Sequence, residues 1–534
     1  MTDGGWLLTA EERGNPATAL DRRRDGAACT AGNSVDVLID GEEYFRELYR
    51  ALAATTAGDV VLFTGLEGHA DERLRASPES AIGTMLCEAA LRGVDVRGLV
   101  WRSHAVIYSQ GRNLLFTRAV NDAGGQVLLD QRVRRWGSHH QKMVVILRAH
   151  GDGREDVAFV GGMDLAHGRR DGPAHFGDPQ PADLSEDNYG ATPAWHDVQV
   201  RVRGPAVADI AYTFRERWED PTPLDTRNPW RAALHRFSKR PARPRALPPE
   251  HTDADSSGSC TVQVLRTYPA RRKAYPFAPD GERSIARAYV KAFGRARRLI
   301  YLEDQYLWSN AAADELCAAL RREPALLVVV VIPRFPDPDG RIAGAASAVG
   351  RQHVQRALER AGGDRVAVYD LENRAGLPVY VHSKVCVVDD IWMAVGSDNL
   401  NRRSWTHDSE ISCAILDERR DERVPFDLSA PDDGARLLPR DTRVRLACEH
   451  GGLAPEEADT IVDPQAWFDC LRSRAETLDR WHADGGFPPR PPGHLRVHPR
   501  EHVPRRERWL LHWMHAHVLD PDGRPDPLRR RDAL

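Results

Sequence analysis

Lysine is nearly missing from this 534-residue chain: of 74 basic residues only five are lysine (Lys142, Lys239, Lys273, Lys291 and Lys384). The arginines that take its place are interleaved with acids, and acidic residues outnumber basic ones 78 to 74, for a net charge of −4. That balance excludes a bulk nucleic-acid-coating protein while leaving room for a local phosphate site. The eight cysteines show no CxxC spacing, which excludes a disulfide frame or a cysteine zinc site and fits reduced core thiols. The opening MTDGGWLLTAEERG has no basic stretch followed by an apolar one, so no secretory signal is expected. The longest strongly apolar run, Ala325 to Ile332, is eight residues, against the roughly twenty that a membrane span needs. The expectation is a cytoplasmic monomer with no transmembrane segment, at most peripheral to a membrane, and with no nucleic-acid partner.

What the chain does contain is a duplication. Asp59-VVLFTGLEG reads as a strand, Ser77 to Arg92 as a helix and Val94-DVRGLVW as a buried strand. The same series returns in Arg298-LIYLEDQYLW, the helical Ala311 to Arg322, and Ala325-LLVVVVIPR. Each half then reaches a histidine-bearing strand, Ser138-HHQKMVVIL or Val381-HSKVCVVDD, and a short strand ending at glycine, Val157-AFVGGMDL or Ile391-WMAVGSDNL. The alternation predicts an α/β fold of two similar sandwich halves related by a pseudo-twofold axis, with the active site at their interface. The boundaries are an N-terminal segment 1–34, a first half 35–221, a Pro/Arg/Ser-rich linker 222–258, a second half 259–420 and a C-terminal helical or irregular region 421–534.

His140-Gln141-Lys142 and His382-Ser383-Lys384 repeat an H-x-K pattern at equivalent places. Chance predicts only ~0.2 such triplets from this composition, and short motifs alone are prone to false positives. On a strand, residues two apart share a face, so each His and Lys would project together into one cleft. Two ammonium groups suit the permanent charge of a phosphodiester and the extra charge gathered in its transition state. One imidazole can attack phosphorus while a second protonates the departing alcohol. His139 lacks the x-Lys spacing and reads as a structural neighbour. No HExxH or carboxylate ladder is present, so no metal or other cofactor is predicted. The C-terminal histidines (His494, His498, His502, His512, His515 and His517) fit no standard ligand spacing. Trp509-LLHWMHAHV is read as packing, with interfacial membrane contact the alternative.

These residues resemble the signature of the phospholipase D superfamily, two copies of HxKxxxxD. The second copy is complete with His382, Lys384 and Asp389, and is followed by Gly396-Ser397-Asp398-Asn399. The first copy has Leu147 where the acid belongs, and nineteen residues separate Lys142 from Gly161 against twelve from Lys384 to Gly396. A longer hairpin accounts for the difference, with Asp152 or Asp156 as substitutes for the acid. HHQK, GGMDLAHGRRD, Trp195-HDVQVRVRGPA, Phe214-RERW and Ile300-YLEDQYLW resemble the branch that cleaves phosphatidyl lipids. The resemblance implies a phospholipid substrate at a membrane surface, cleaved to phosphatidic acid through a phosphohistidine. It further implies that a carboxylate orients each histidine, with Asp171 and Glu410 at the matching places. Gly162 and Asp164 in one half, and Ser397 and Asn399 in the other, are the implied lining of the phosphate pocket. A phosphatidyltransferase or nuclease of the same superfamily, and a non-catalytic lipid-binding protein, are the alternatives.

Overall fold

The two apolar, β-branched runs opening each half become parallel strands covered on both faces, as near-continuous hydrophobic strands require. The computed structural model describes residues 5–21, 28–103, 110–149, 155–180, 184–224, 243–250, 254–335, 341–425, 434–487, 489–500, 503, 508–531 and 534. The first half holds β1 (Thr30–Ile39), β2 (Val60–Gly65), β3 (Asp95–Trp101), β4 (Gln126–Asp130), β5 (Met143–Leu147), β6 (Val157–Gly161), β7 (Ala194–His196) and β8 (Val198–Arg203). The second holds β9 (Cys260–Tyr268), β10 (Glu282–Arg283), β11 (Leu299–Glu303), β12 (Leu327–Val331), β13 (Val366–Glu372), β14 (Pro378–Val381), β15 (Val385–Val388), β16 (Trp392–Gly396) and β17 (Glu410–Asp417). A last strand, β18 (Leu495–Val497), comes from the C-terminal region.

Pairing makes the duplication explicit. One sheet runs β4-β3-β2-β5-β6-β8-β1 and the other β13-β12-β11-β15-β16-β17-β9, with the same parallel and antiparallel sense at each step. The mixed α/β fold is therefore built from two like sheets. They meet where β1 pairs with β9 and where β7 of one half pairs in parallel with β14 of the other. Amphipathic helices cover the outer faces. Asp40–Ala53, for instance, buries Tyr44, Phe45, Leu48 and Leu52 at helical spacing. A shared core between the sheets joins Val160 and Val200 to Val264, Val385 and Val395.

The C-terminal region contributes to the core. Helices Leu437–Gly451 and Pro464–Ala483 place Val444, Leu446, Trp467 and Phe468 in that shared core, and β18 extends the second sheet beside β13. Most of the linker, 225–242 and 251–253, lies outside the described residues, as does Asp152.

The motif acids serve the hairpins. Asp389 sits in the β15–β16 turn with φ at 51°, and its carboxylate accepts the amide hydrogens of Arg297, Arg298 and Leu299 at 2.8–2.9 Å. It anchors the hairpin to the start of β11 and makes no contact with either histidine among the described residues. In the first half the polarity reverses. Asp59, just before β2, accepts from the amide of Ala149 at 2.9 Å and the guanidinium of Arg148 at 3.2 Å. Asp156 accepts the amide of Arg148 at 2.6 Å. Leu147 is thus free to be apolar. Asp389→Ala is expected to cost about 2–3 kcal/mol, because it strands amide donors at a partly buried strand start. Urea unfolding at constant m-value checks this.

Candidate active site

Neither H-x-K triplet lies within a strand. His140 to Lys142 form the extended lead-in to β5, and His382 to Lys384 bridge β14 and β15. The alternation survives: Gln141 turns away to the Tyr268 hydroxyl and the Glu410 carbonyl, and Ser383 is fully buried. Each lysine reaches back to the carbonyl of its own histidine, Lys142 at 3.3 Å.

The two halves exchange orienting carboxylates. His140 Nδ1 meets Glu410 Oε2 of the second half at 2.9 Å, and His382 Nδ1 meets Asp197 Oδ2 of the first at 2.7 Å. The register explains the symmetry. Gly161 faces Gln199 and Gly396 faces Ser412, and each acid stands two residues before that partner. Main-chain contacts across the interface carry the triplets with them: the His140 amide donates to the Ser409 carbonyl, and the His382 amide to that of His196. Bonding at Nδ1 leaves Nε2 of each ring as the reactive nitrogen. The Ser397 hydroxyl donates to Glu410 at 2.6 Å, and Asp197 Oδ1 accepts the Val198 amide at 2.8 Å. The ring of His382 leans on Trp195, 4.9 Å between centroids.

Asp171 is a correction. It accepts the amides of Trp195, Gly172 and Gly177 at 2.9–3.0 Å and so ties the GRRD loop to β7, while Asp197 takes the role expected of it. The signal for Asp197 was present in the WHD segment, once the glycine-facing register is known.

The four expected pocket residues do different work. A Cβ on Gly162 would sit 2.2 Å from Asp197 Oδ1, so glycine makes room for the carboxylate that holds His382. Ser397 occupies the same place in the other half and bonds Glu410 instead of facing open space. Asp164 lies 3.2 Å from Lys142 Nζ and accepts the amides of Leu66 and Glu67. A carboxylate there repels phosphate and positions the lysine. Asn399, at 5% exposure, keeps its Oδ1 without a hydrogen-bond partner among the described residues. Lys384 has the Gln305 amide oxygen at 3.5 Å where Lys142 has a carboxylate, so the two cations are unequally compensated.

Burial and the two ammonium groups favour neutral imidazoles. His140 is pushed down to about 3 by burial, Lys142 and, from the other half, Lys384. His382 is held well below the usual histidine range by burial, then Lys384, Arg169, Lys142 and His140. Burial also pushes Glu410 up to about 8 and Lys384 down to about 8. Each histidine feels the other half's cation. The ammonium form of Lys384 prevails below about pH 8 and is lost above it. The pH profile of kcat/KM should therefore fall on the alkaline side with a midpoint near 8, since it reports the free enzyme. Lys384→Arg should carry that limb upward, and a limb unmoved by Lys384→Arg would contradict its assignment to Lys384.

The fold also gathers a donor set that sequence spacing did not reveal. Ligand atoms of Asp40, His175, His196 and Glu449 lie within 4.8 Å of one another, and His196, Glu303 and His450 form a second such group. Asp40 Oδ2, both ring nitrogens of His175 and Glu449 Oε1 are buried without a hydrogen-bond partner. Two imidazoles and two carboxylates could hold a divalent cation there, with His196 next in sequence to Asp197. Of the C-terminal histidines noted above, His494 approaches this group, 4.9 Å from the His175 ring.

Two family models match, Phospholipase D over residues 55–318 and the PLD-like domain of cardiolipin synthase over 289–424. The chain belongs to the phospholipase D superfamily. Among curated superfamily proteins it is 25% identical to phospholipase D alpha 1 of Vigna unguiculata, across 84% of this chain and 68% of that one. It is 27% identical to phospholipase D beta 2 of Arabidopsis thaliana, across 76% and 55%. The chain thus spans between 55% and 68% of the length of these two relatives. Phosphatidylserine synthase from Haemophilus influenzae Rd KW20 shares the fold with a TM-score of 0.50, at 13% identity, over 76% of this chain and 87% of that one. Among the described residues no helix is long and apolar enough to cross a membrane.

Proposed function

We propose that this chain is a phospholipase D-type phosphodiesterase that converts phosphatidyl lipids to phosphatidic acid and free head group. The observation that carries this reading is the exchange of carboxylates between halves, Glu410 to His140 and Asp197 to His382. Holding each ring at Nδ1 leaves its Nε2 free for chemistry, with Lys142 and Lys384 each two residues along the chain.

In the first step Nε2 of His140 attacks phosphorus, and the bond from phosphorus to the head-group oxygen breaks. His382, as imidazolium, gives its Nε2 proton to that oxygen. Protonation of His382 depends on the substrate, because a phosphate anion between the lysines offsets the charge that otherwise holds the ring neutral. In the second step neutral His382 takes a proton from water, the water oxygen attacks phosphorus, and the bond to His140 breaks. Lys142 and Lys384 neutralise the non-bridging oxygens in both steps.

An alcohol in place of water gives head-group exchange. The match of 289–424 to a cardiolipin synthase domain favours keeping that phosphatidyltransferase reading. Choline and ethanolamine release with and without ethanol tests both: release without ethanol supports hydrolysis, and phosphatidylethanol formation supports transfer. Cleavage of single-stranded DNA with no release from mixed micelles would overturn the lipid reading in favour of a nuclease.

A further inference from the structure

We infer that the surface around the loop Arg134–Ser138 is a docking face for an anionic phospholipid bilayer. The inference rests on the lipid substrate proposed above and names the surface that carries the chain to it.

Six arginines, Arg134, Arg135, Arg271, Arg272, Arg524 and Arg529, line a pocket of about 370 Å³ in which Asp526 is the one acid. Arg271 is paired with Asp220 at 2.7 Å, Arg524 with Asp522 at 2.9 Å, and Arg529 with Asp526. Arg134 donates to the carbonyls of Ala270 and Gly523. Among the described residues Arg134, Arg135 and Arg272 form no ion pair. In a chain whose net charge is −4 this is a local excess of cations, with Asp522 and Asp526 near Arg134, and with Arg135 and Arg272 exposed. Planar guanidiniums grip phosphate oxygens in pairs, so the matching ligand is a phosphate-bearing head group.

Apolar groups stand beside the pocket. Trp136, next to the lining residue Arg135, is 64% exposed, and Trp513 and Val518 are each 50% exposed. Arg403 joins these segments by donating to the carbonyls of Trp136 and Val518, and the Trp513 ring lies 5.2 Å from that of His517, tilted by 40°. Exposed tryptophan beside arginine is the composition of an interfacial membrane contact, in which the ring enters the head-group layer and cations meet its phosphates. The face is also tied to the chemistry: the Ser138 amide donates to Asp408 at 2.8 Å, two residues before His140.

The test is vesicle flotation with the full chain carrying His382→Ala, so that lipid is not consumed. Binding to mixed vesicles of phosphatidylcholine and phosphatidic acid should exceed binding to phosphatidylcholine alone and weaken with salt. Arg135→Glu with Arg272→Glu, both exposed, should lower binding to the anionic vesicles by about tenfold or more. Trp136→Ala should lower binding to both vesicle types. In the otherwise intact chain, the arginine variant should turn over a soluble short-chain phosphatidylcholine at the parental rate. Equal binding of neutral and anionic vesicles, or an arginine variant that floats like the parent, would overturn the inference. So would arginine-dependent binding of single-stranded DNA that displaces vesicles. Failure of the parental chain on the soluble substrate, with charge-dependent flotation retained, would count against the proposed function and leave the docking face standing.

Discussion

Replacing His140 by alanine should lower phospholipid turnover by about ten-thousandfold, and His382→Ala by about a thousandfold. The difference follows from their roles. His140 forms the bond to phosphorus, so its loss removes the covalent step. His382 moves protons, and water can replace it poorly. A substrate whose leaving group needs no proton, such as a p-nitrophenyl phosphatidyl ester, should therefore restore bond cleavage to His382→Ala and not to His140→Ala. Unfolding curves check that both variants keep the parental fold, with a modest loss of stability from the buried carboxylate each leaves unpaired. Near-normal release of choline by either variant would remove the mechanism.

The second large effect belongs to the carboxylates. Asp197→Asn should reduce kcat by a hundredfold or more, to about ten-thousandfold, and Glu410→Gln similarly. An amide can offer its N–H to Nδ1 and so place the ring proton on Nε2, the nitrogen that must attack or accept. Burial of both acids makes the change purely one of tautomer and charge, since neither amide would find water to rescue it. Asp171→Asn provides the contrast. It removes acceptors for the amides of Trp195, Gly172 and Gly177 and should lower stability, yet change kcat by no more than severalfold. Steady-state kinetics on the three variants, alongside unfolding curves, separates orientation from anchoring. Equal losses for Asp171→Asn and Asp197→Asn would contradict the assignment.

The H-x-K pairs and the strand-helix-strand order were legible in the sequence because they are local. A residue two along a strand shares a face, and a buried parallel strand is a continuous apolar run. Asp197 was not legible, because its partner lies 185 positions away and on the other sheet. Only the register of β6 against β8 places it two residues before the partner of Gly161, as Glu410 is two before that of Gly396. The missing acid at Leu147 illustrates the same limit. Its task of tying a hairpin to a neighbouring strand start passed to Asp59, on the opposite partner of the contact. The cluster of Asp40, His175, His196 and Glu449 draws on four distant segments, so no spacing rule could have found it. The C-terminal region looked peripheral because its apolar residues are diluted by Pro, Arg and His, although Trp467 and Phe468 sit in the shared core.

The most direct measurement is a burst experiment on His382→Ala with the p-nitrophenyl phosphatidyl ester. The account predicts one equivalent of nitrophenol per chain and then a stall, with an acid-labile phosphatidyl group mapped to residue 140. No burst should follow from the same ester with His140→Ala. A phosphatidyl adduct on residue 382 of His140→Ala, or linear release with no trapped intermediate in His382→Ala, would contradict it.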